Sequence, residues 1–158
     1  MRLTMRTNLA MRVLMACAVN DRHMVRRADI ARVAGASENH LAQVVHHLSL
    51  HGFVDTIRGR SGGMSLARPA EEISIGQVFR QFEDVVPFAE CFSRGENTCP
   101  LAGACRLRVA LKSALDAFYS ELDGISLADL VCDNAALEAL LALPQTAPRF
   151  AMECAPRH

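Results

Sequence analysis

Residues 28–68 constrain the fold most: two short helical stretches, a glycine turn and a glycine-rich hairpin follow one another without a linker. Ala28-Asp-Ile-Ala-Arg-Val-Ala34 reads as a short helix stopped by Gly35, a residue that leaves a helix at no steric cost. Ser37 offers an N-cap for a second helix that runs to about His51. Leu41, Val44, Val45 and Leu48 recur at i, i+3, i+4 and i+7 and form one apolar face. Glu38, Asn39, His40, Gln43, His46 and His47 form the opposite, polar face. Two such helices joined tightly predict a helix-turn-helix over 28–51.

Phe53–Arg58 alternates apolar and polar residues, and Met64–Ala67 partly does. The run Gly59-Arg-Ser-Gly-Gly63 between them predicts a hairpin, giving a β-wing over 53–68. The run joins two strands and lacks a Gly-Lys-Ser/Thr ending, so it does not read as a phosphate-cradling nucleotide loop. A wing directly after a helix-turn-helix is a more specific signal than either part alone. It predicts double-stranded DNA as partner, with the start of the second helix at base edges in the major groove. The candidate contacts are Ser37, Asn39, His40 and Gln43 from that helix, and Arg58 and Arg60 from the wing. The amides of Asn39 and Gln43 have the chemistry to pair with adenine N6 and N7 together, although any one of these residues equally fits a solvated helix face. The arginines flank the hairpin turn, within reach of phosphate or a minor groove.

Charge agrees. Residues 1–70 carry ten Lys/Arg against four Asp/Glu, while residues 71–158 carry seven against thirteen. A basic first half beside an acidic second half suits a polyanionic partner. Aromatics make up 5% and tryptophan is missing, which favours aliphatic helix packing over a β-sandwich. The apolar run Leu9–Val19 is interrupted by Arg12, and no stretch approaches the roughly 20 apolar residues of a membrane span. The expectation is a cytoplasmic protein with no membrane partner, in a compartment where clustered cysteines more often bind metal or sense redox state than form disulfides.

The remaining segments are helical. A first helix is predicted from about Asn8 to Val19, with Leu9, Val13, Leu14, Cys17 and Ala18 near one face and Cys17 as a small buried hydrophobe. Ser74 caps a helix with Ile75, Val78, Phe79 and Phe82 on one side. A long helix over 104–122 carries Leu107, Leu111, Ala114, Leu115, Phe118 and Leu122 as an apolar seam, suited to an equivalent helix of a second subunit or to burial within one chain. Ser126–Val131 is a short helical turn, and 132–158 is read as a C-terminal tail, mobile after Pro144. The expected class is mainly α with a small β-wing: a winged helix-turn-helix domain plus a long dimerisation helix.

Between the wing-bearing part and that long helix lies Cys91-Phe-Ser-Arg-Gly-Glu-Asn-Thr-Cys99-Pro-Leu-Ala-Gly-Ala-Cys105. Three thiols at this spacing can bind a soft or borderline metal. Structural zinc usually takes four ligands and short Cys-x-x-Cys pairs, whereas the spacers here are seven and five residues. Iron–sulfur clusters accept longer loops, and a disulfide would leave one of the trio unpaired. Spacing alone leaves cluster, zinc and no metal open. Cys132 and Cys154 lie outside the group and receive no role. No nucleotide-binding motif, second cluster motif or nucleophile–base pair suggests an enzyme.

Taken together, Met1-Arg-Leu-Thr4, Asn39-His-Leu41, Arg58-Gly-Arg-Ser-Gly-Gly63, Cys91…Cys99-Pro…Cys105-Arg-Leu107 and Ser126-Leu-Ala-Asp-Leu-Val131 resemble the winged-helix iron–sulfur regulators that include IscR, and within them the nitric-oxide-sensing NsrR type. The resemblance covers roughly residues 1–131. It implies a homodimer with one iron–sulfur cluster per subunit on Cys91, Cys99 and Cys105, 4Fe–4S favoured over 2Fe–2S. It implies a repressor of nitrogen-oxide detoxification and metabolism genes that lets go of its operator when nitric oxide attacks the iron. IscR-like members carry a histidine shortly after the third cysteine; here Arg106, Leu107 and Arg108 follow Cys105. The NsrR type can complete the cluster with an aspartate near the start of the partner's first helix, and the matching residue here is Asn8. The fourth position therefore stays open between Asn8, Glu83 or Glu90, solvent or a small molecule, and no ligand at all. An iron–sulfur or redox-status regulator of the IscR kind and a zinc-stabilised regulator are the alternatives.

Overall fold

The computed structural model describes residues 3–21, 23–59, 62–83, 87–92 and 97–143. The body is organised around α1 (Met5–Val19), a helix apolar nearly all round and therefore central. Leu9, Ala10, Val13, Leu14, Cys17 and Ala18 are buried on it, with Met11, Ala16 and Val19 extending burial to other faces. It begins one turn earlier than Asn8 because Thr4 caps it, its hydroxyl accepting from the Thr7 N–H at 3.2 Å. Burial pushes the Cys17 thiol up to about 12, so this cysteine packs as a hydrophobe, as expected.

The helix-turn-helix is formed by α2 (Arg27–Ala34) and α3 (Glu38–Leu50). Gly35 turns the chain in the left-handed region, φ 60°. Arg12 of α1 donates to the Ala34 carbonyl at 2.7 Å, placing positive charge where the α2 dipole is negative. Leu41, Val44, Val45 and Leu48 are all buried, the face that the spacing predicts.

The wing is an antiparallel pair, β1 (Val54–Ile57) and β2 (Gly63–Leu66), in register Val54↔Leu66 to Ile57↔Gly63. Gly59 at the turn has φ 113°, closed to most side chains. A third edge was not predicted. Val25, just after the polar break at Asp21-Arg22-His23, exchanges two backbone hydrogen bonds with Met64, each 2.8 Å. Val25 and Met64 are both buried, so the wing is anchored to the chain entering α2.

A 3-10 turn (Ala70–Glu72) leads to α4 (Ile75–Glu83), whose Ile75, Val78 and Phe82 are buried. The long α5 (Arg106–Asp123) departs from this body and returns at Ile125. There the chain bonds back to 73–75: Ile75 N–H donates to the Ile125 carbonyl at 2.9 Å and Leu127 N–H to the Ile73 carbonyl at 2.8 Å. Next comes α6 (Leu127–Val131), opened by a reciprocal Ser126–Asp129 capping box. Its Leu127 and Val131 complete the core beside α1.

The segment read as a tail begins folded. Asn134 caps α7 (Ala135–Leu141), and the buried Asn20 donates to the Leu141 carbonyl at 3.0 Å and accepts from the Leu143 N–H at 3.1 Å. Residues 144–158, with Cys154, lie outside the described residues. Among the described residues no helix is long and apolar enough to cross a membrane.

Candidate functional site

Two surfaces carry the predicted site residues. The first is the start of α3. Ser37 is its N-cap, and its Oγ accepts from the His40 N–H at 3.3 Å. Asn39, His40 and Gln43 are exposed on the same side. His47 departs from the expected polar face. It is half-buried, with Nε2 3.0 Å from the Gln81 carbonyl oxygen and its ring edge-on to Phe82 at 4.7 Å. Its place one turn beyond Gln43 turns it towards α4, which helical spacing within α3 alone does not reveal.

Arg58 is exposed at the end of β1, and Arg60 lies outside the described residues. Not all of the basic half is available to a polyanion. Arg12 caps α2, Arg68 lies 5.0 Å over the Phe53 ring while donating to Gln77, and Arg32 pairs with Asp29 at 3.1 Å. Arg6, at the start of α1, was not singled out by its sequence context. It is exposed beside α3 and donates to Gln43 Oε1 at 3.2 Å.

The second surface is the cysteine loop. Cys91 lies in a 3-10 turn (Glu90–Phe92), Cys99 opens the turn that follows, and Cys105 is the N-cap of α5. All three thiols are free and half-buried. Cys105 stands where the unpaired N–H groups of α5 favour negative charge. Glu90 ties the loop across itself, accepting from the Thr98 N–H at 2.8 Å and its hydroxyl at 2.6 Å. These bonds hold the Glu90 carboxyl below its usual range, the hydroxyl contributing most. Three free thiols are a donor set that soft metals and iron–sulfur clusters accept, so the residues present fit such a group. Among the described residues no three His, Cys, Asp or Glu side chains converge closely enough to hold a metal ion. Residues 93–96 of the loop lie outside the description.

Two other candidate ligands sit near the first turn of α1. Asn8 is exposed. Glu83, at the end of α4, accepts from the Thr4 N–H at 2.8 Å and from the buried Thr7 hydroxyl with the same Oε1. The chain entering the cysteine loop is thereby fastened to the start of α1.

Residues 3–133 match the Rrf2 family, described as iron-dependent transcriptional regulators. The chain belongs to the Rrf2 family. Among its relatives is protein aau3 of Rhizobium meliloti (strain 1021), 44% identical over 145 residues, covering 92% of this chain and 94% of that one. Another is the HTH-type transcriptional regulator NsrR of Geobacillus kaustophilus (strain HTA426), 44% identical over 142 residues, covering 89% and 97%. The solved structure of T. potens IscR has the same fold, with a TM-score of 0.68, 23% identity and 95% of each chain covered.

For an Rrf2 regulator, the long helix is the notable part. Not one residue of α5 is buried, although it spans 18 residues. Leu107 is 64% exposed, and Leu111, Leu115, Phe118 and Leu122 are half-covered at most. Its contacts with the body gather at its C-terminal end, where Phe118 meets Phe79 at 6.3 Å and Arg80 reaches Tyr119 and Asp123. Among the described residues nothing buries the N-terminal end, which follows Cys105, and its apolar seam is exposed.

Proposed function

We propose that this chain is a homodimeric, DNA-binding repressor that carries one iron–sulfur cluster per subunit on Cys91, Cys99 and Cys105 and answers to nitric oxide. The observation that carries the reading is the joint position of the three free thiols and the seam. The cysteine loop ends at the exposed N-terminal end of α5, so a dimer formed along α5 would bring the loop to the subunit boundary. Kinship with a regulator named NsrR at 44% identity supports the nitric oxide branch, as does the run Arg106-Leu-Arg108 in place of a histidine after Cys105.

An iron–sulfur cluster, when bound, supplies iron that nitric oxide can attack. The chain supplies the rest. Three thiolates hold the cluster, and the Glu90–Thr98 bonds shape the loop between Cys91 and Cys99. Glu83 links the loop's approach to Thr4 and Thr7, and through α1 to the body that presents α3. With the loop closed, two α3 helices are held at the spacing of two half-sites about one helical turn apart. With the loop open, that arrangement loses population. Operator contact falls to Ser37, Asn39, His40 and Gln43 in the major groove, and to Arg58 and Arg60 from the wing.

Cysteine-to-serine variants test the ligand set. Anaerobically purified Cys91→Ser, Cys99→Ser and Cys105→Ser should each lose iron and acid-labile sulfide while keeping the helical circular dichroism of the parent. Full iron and sulfide in any one of them would remove that residue from the site. Zinc without sulfide in the parent would replace the cluster with a structural metal.

A further inference from the structure

We propose that Cys132 and Cys154 form a reversible disulfide that fastens residues 144–154 over an apolar groove between α1, α2 and α7, beside the helix-turn-helix.

The chain has six cysteines. Cys17, Cys91, Cys99 and Cys105 are free, and Cys132 is disulfide-bonded. Cys154 is the remaining partner within the chain. Cys132 is held in place by its surroundings. It is the C-cap of α6, its N–H donates to the Ala128 carbonyl at 2.8 Å, and it packs half-buried against the core. Asp133 then turns the chain towards α7 in the left-handed region, φ 53°.

A bond between these two sulfurs closes a loop that contains α7. The chain leaves α7 towards Leu143, whereas Cys132 precedes the start of α7, so residues 144–154 have to come back past that helix. Seven helical residues rise roughly 10 Å, a distance that 144–154 can span with slack. The groove lies along this return path. It measures about 280 Å³ and is lined by Leu137, Leu140, Leu141 and Leu143 together with Ile30 and Val33 of α2. Leu140 is 70% exposed in it and Val33 40%. The returning residues include Phe150 and Met152, large apolar side chains of the kind that fill an irregular apolar cleft. The segment is already joined to the groove at Leu143, so a second tether at Cys132 makes its docking an intramolecular event.

The exchange needs a small disulfide of the glutathione class as oxidant. A thiolate of the pair attacks it, forming a mixed disulfide and releasing one small thiol. The second protein thiolate then attacks the protein sulfur of that mixed disulfide and releases the other. The protein loses two electrons and two protons, and the small disulfide becomes two thiols. Excess small thiol reverses both steps. Oxidation would thus brace α7 against α2, the first helix of the helix-turn-helix, without passing through the cysteine loop.

The test equilibrates the full-length protein anaerobically in glutathione buffers of rising oxidised fraction, quenches it by alkylation, and maps its peptides by mass spectrometry. A peptide joining Cys132 to Cys154 should appear on oxidation and vanish on reduction. Both cysteines alkylated at every ratio, or Cys132 joined to any other cysteine, would overturn the proposal. Amide hydrogen exchange in α2 and α7 should slow by roughly tenfold or more in the oxidised form. Cys154→Ser, which disturbs no contact of the folded body described above, should stay at the faster rate throughout. Phe150→Ala with Met152→Ala should keep the cross-link and lose the slowing. Slowing that survives in this double variant, or a cross-link in the parent that slows nothing, overturns the docking of 144–154 in the groove.

Discussion

Arg80 grips Asp123 through two parallel contacts, Nη1 to Oδ1 at 2.5 Å and Nη2 to Oδ2 at 2.7 Å. The pair joins α4 to the last residue of α5, and Arg80 also lies 4.6 Å over the Tyr119 ring. Gly76 makes the approach possible: a Cβ there would fall 2.1 Å from Asp123 Oδ1 and 2.8 Å from its backbone nitrogen. Gly76→Ala should therefore displace the root of α5 and lower stability by about 1–3 kcal/mol in urea unfolding.

The same clamp predicts a pH signature. The hydrogen bond from Arg80, ahead of its charge, holds the Asp123 carboxyl below its ordinary value of 3.8. A group depressed in the folded state stabilises it fully above the unfolded value, and that contribution is lost as pH falls through the folded one. The unfolding midpoints of the parent and Asp123→Asn should differ by a constant amount near neutrality and converge below about pH 4. A gap that persists in acid would show that the carboxylate charge is not what Arg80 holds.

Thr7 is fully buried, and its hydroxyl donates to Glu83. Thr7→Val keeps the shape and removes the donor beside a charged acceptor. Stability should fall by about 1–3 kcal/mol. If Glu83 also transmits the state of the loop to α1, the variant should bind DNA equally in loaded and apo forms, as read by anisotropy.

In the proposed dimer a second chain covers the exposed seam of α5. Leu111→Glu with Leu115→Glu should convert a dimer into a monomer in analytical ultracentrifugation without changing the circular dichroism spectrum, because neither side chain is buried in one subunit. A dimer that survives both substitutions would place the subunit contact elsewhere.

What was legible in the chain was mostly local. The Leu41-Val44-Val45-Leu48 stripe announced the buried face of α3, and the alternation around Gly59–Gly63 announced the wing. The helix Ala135–Leu141 has its own local signal, an Asn134 cap before Ala-Ala-Leu-Glu-Ala-Leu-Leu, although the prolines that follow it suggest a tail. Val25 and His47 were not legible. Each is positioned by a partner distant in sequence, Met64 for one and Gln81 with Phe82 for the other. The three cysteines stood out by spacing, and the seam of α5 by period. Arg6 carried no local signal, since its partner Gln43 lies 37 residues away.

Arg58 offers a direct reading of wing contact. Each phosphate neutralised adds about 0.9 to the slope of log affinity against log salt. Arg58→Ala should weaken binding to all duplexes and flatten that slope by roughly two per dimer, one contact from each wing. An unchanged slope would remove Arg58 from the phosphate interface.

In the proposed mechanism the state of the cysteine loop decides whether α3 meets DNA. Its most direct measurement is fluorescence anisotropy of a duplex selected by the cluster-loaded protein, titrated anaerobically with loaded, apo and nitric-oxide-treated protein at one salt concentration. The loaded form should bind tightly, and affinity should be lower by about 5- to 150-fold in the other two. Equal affinity in all three states would contradict it.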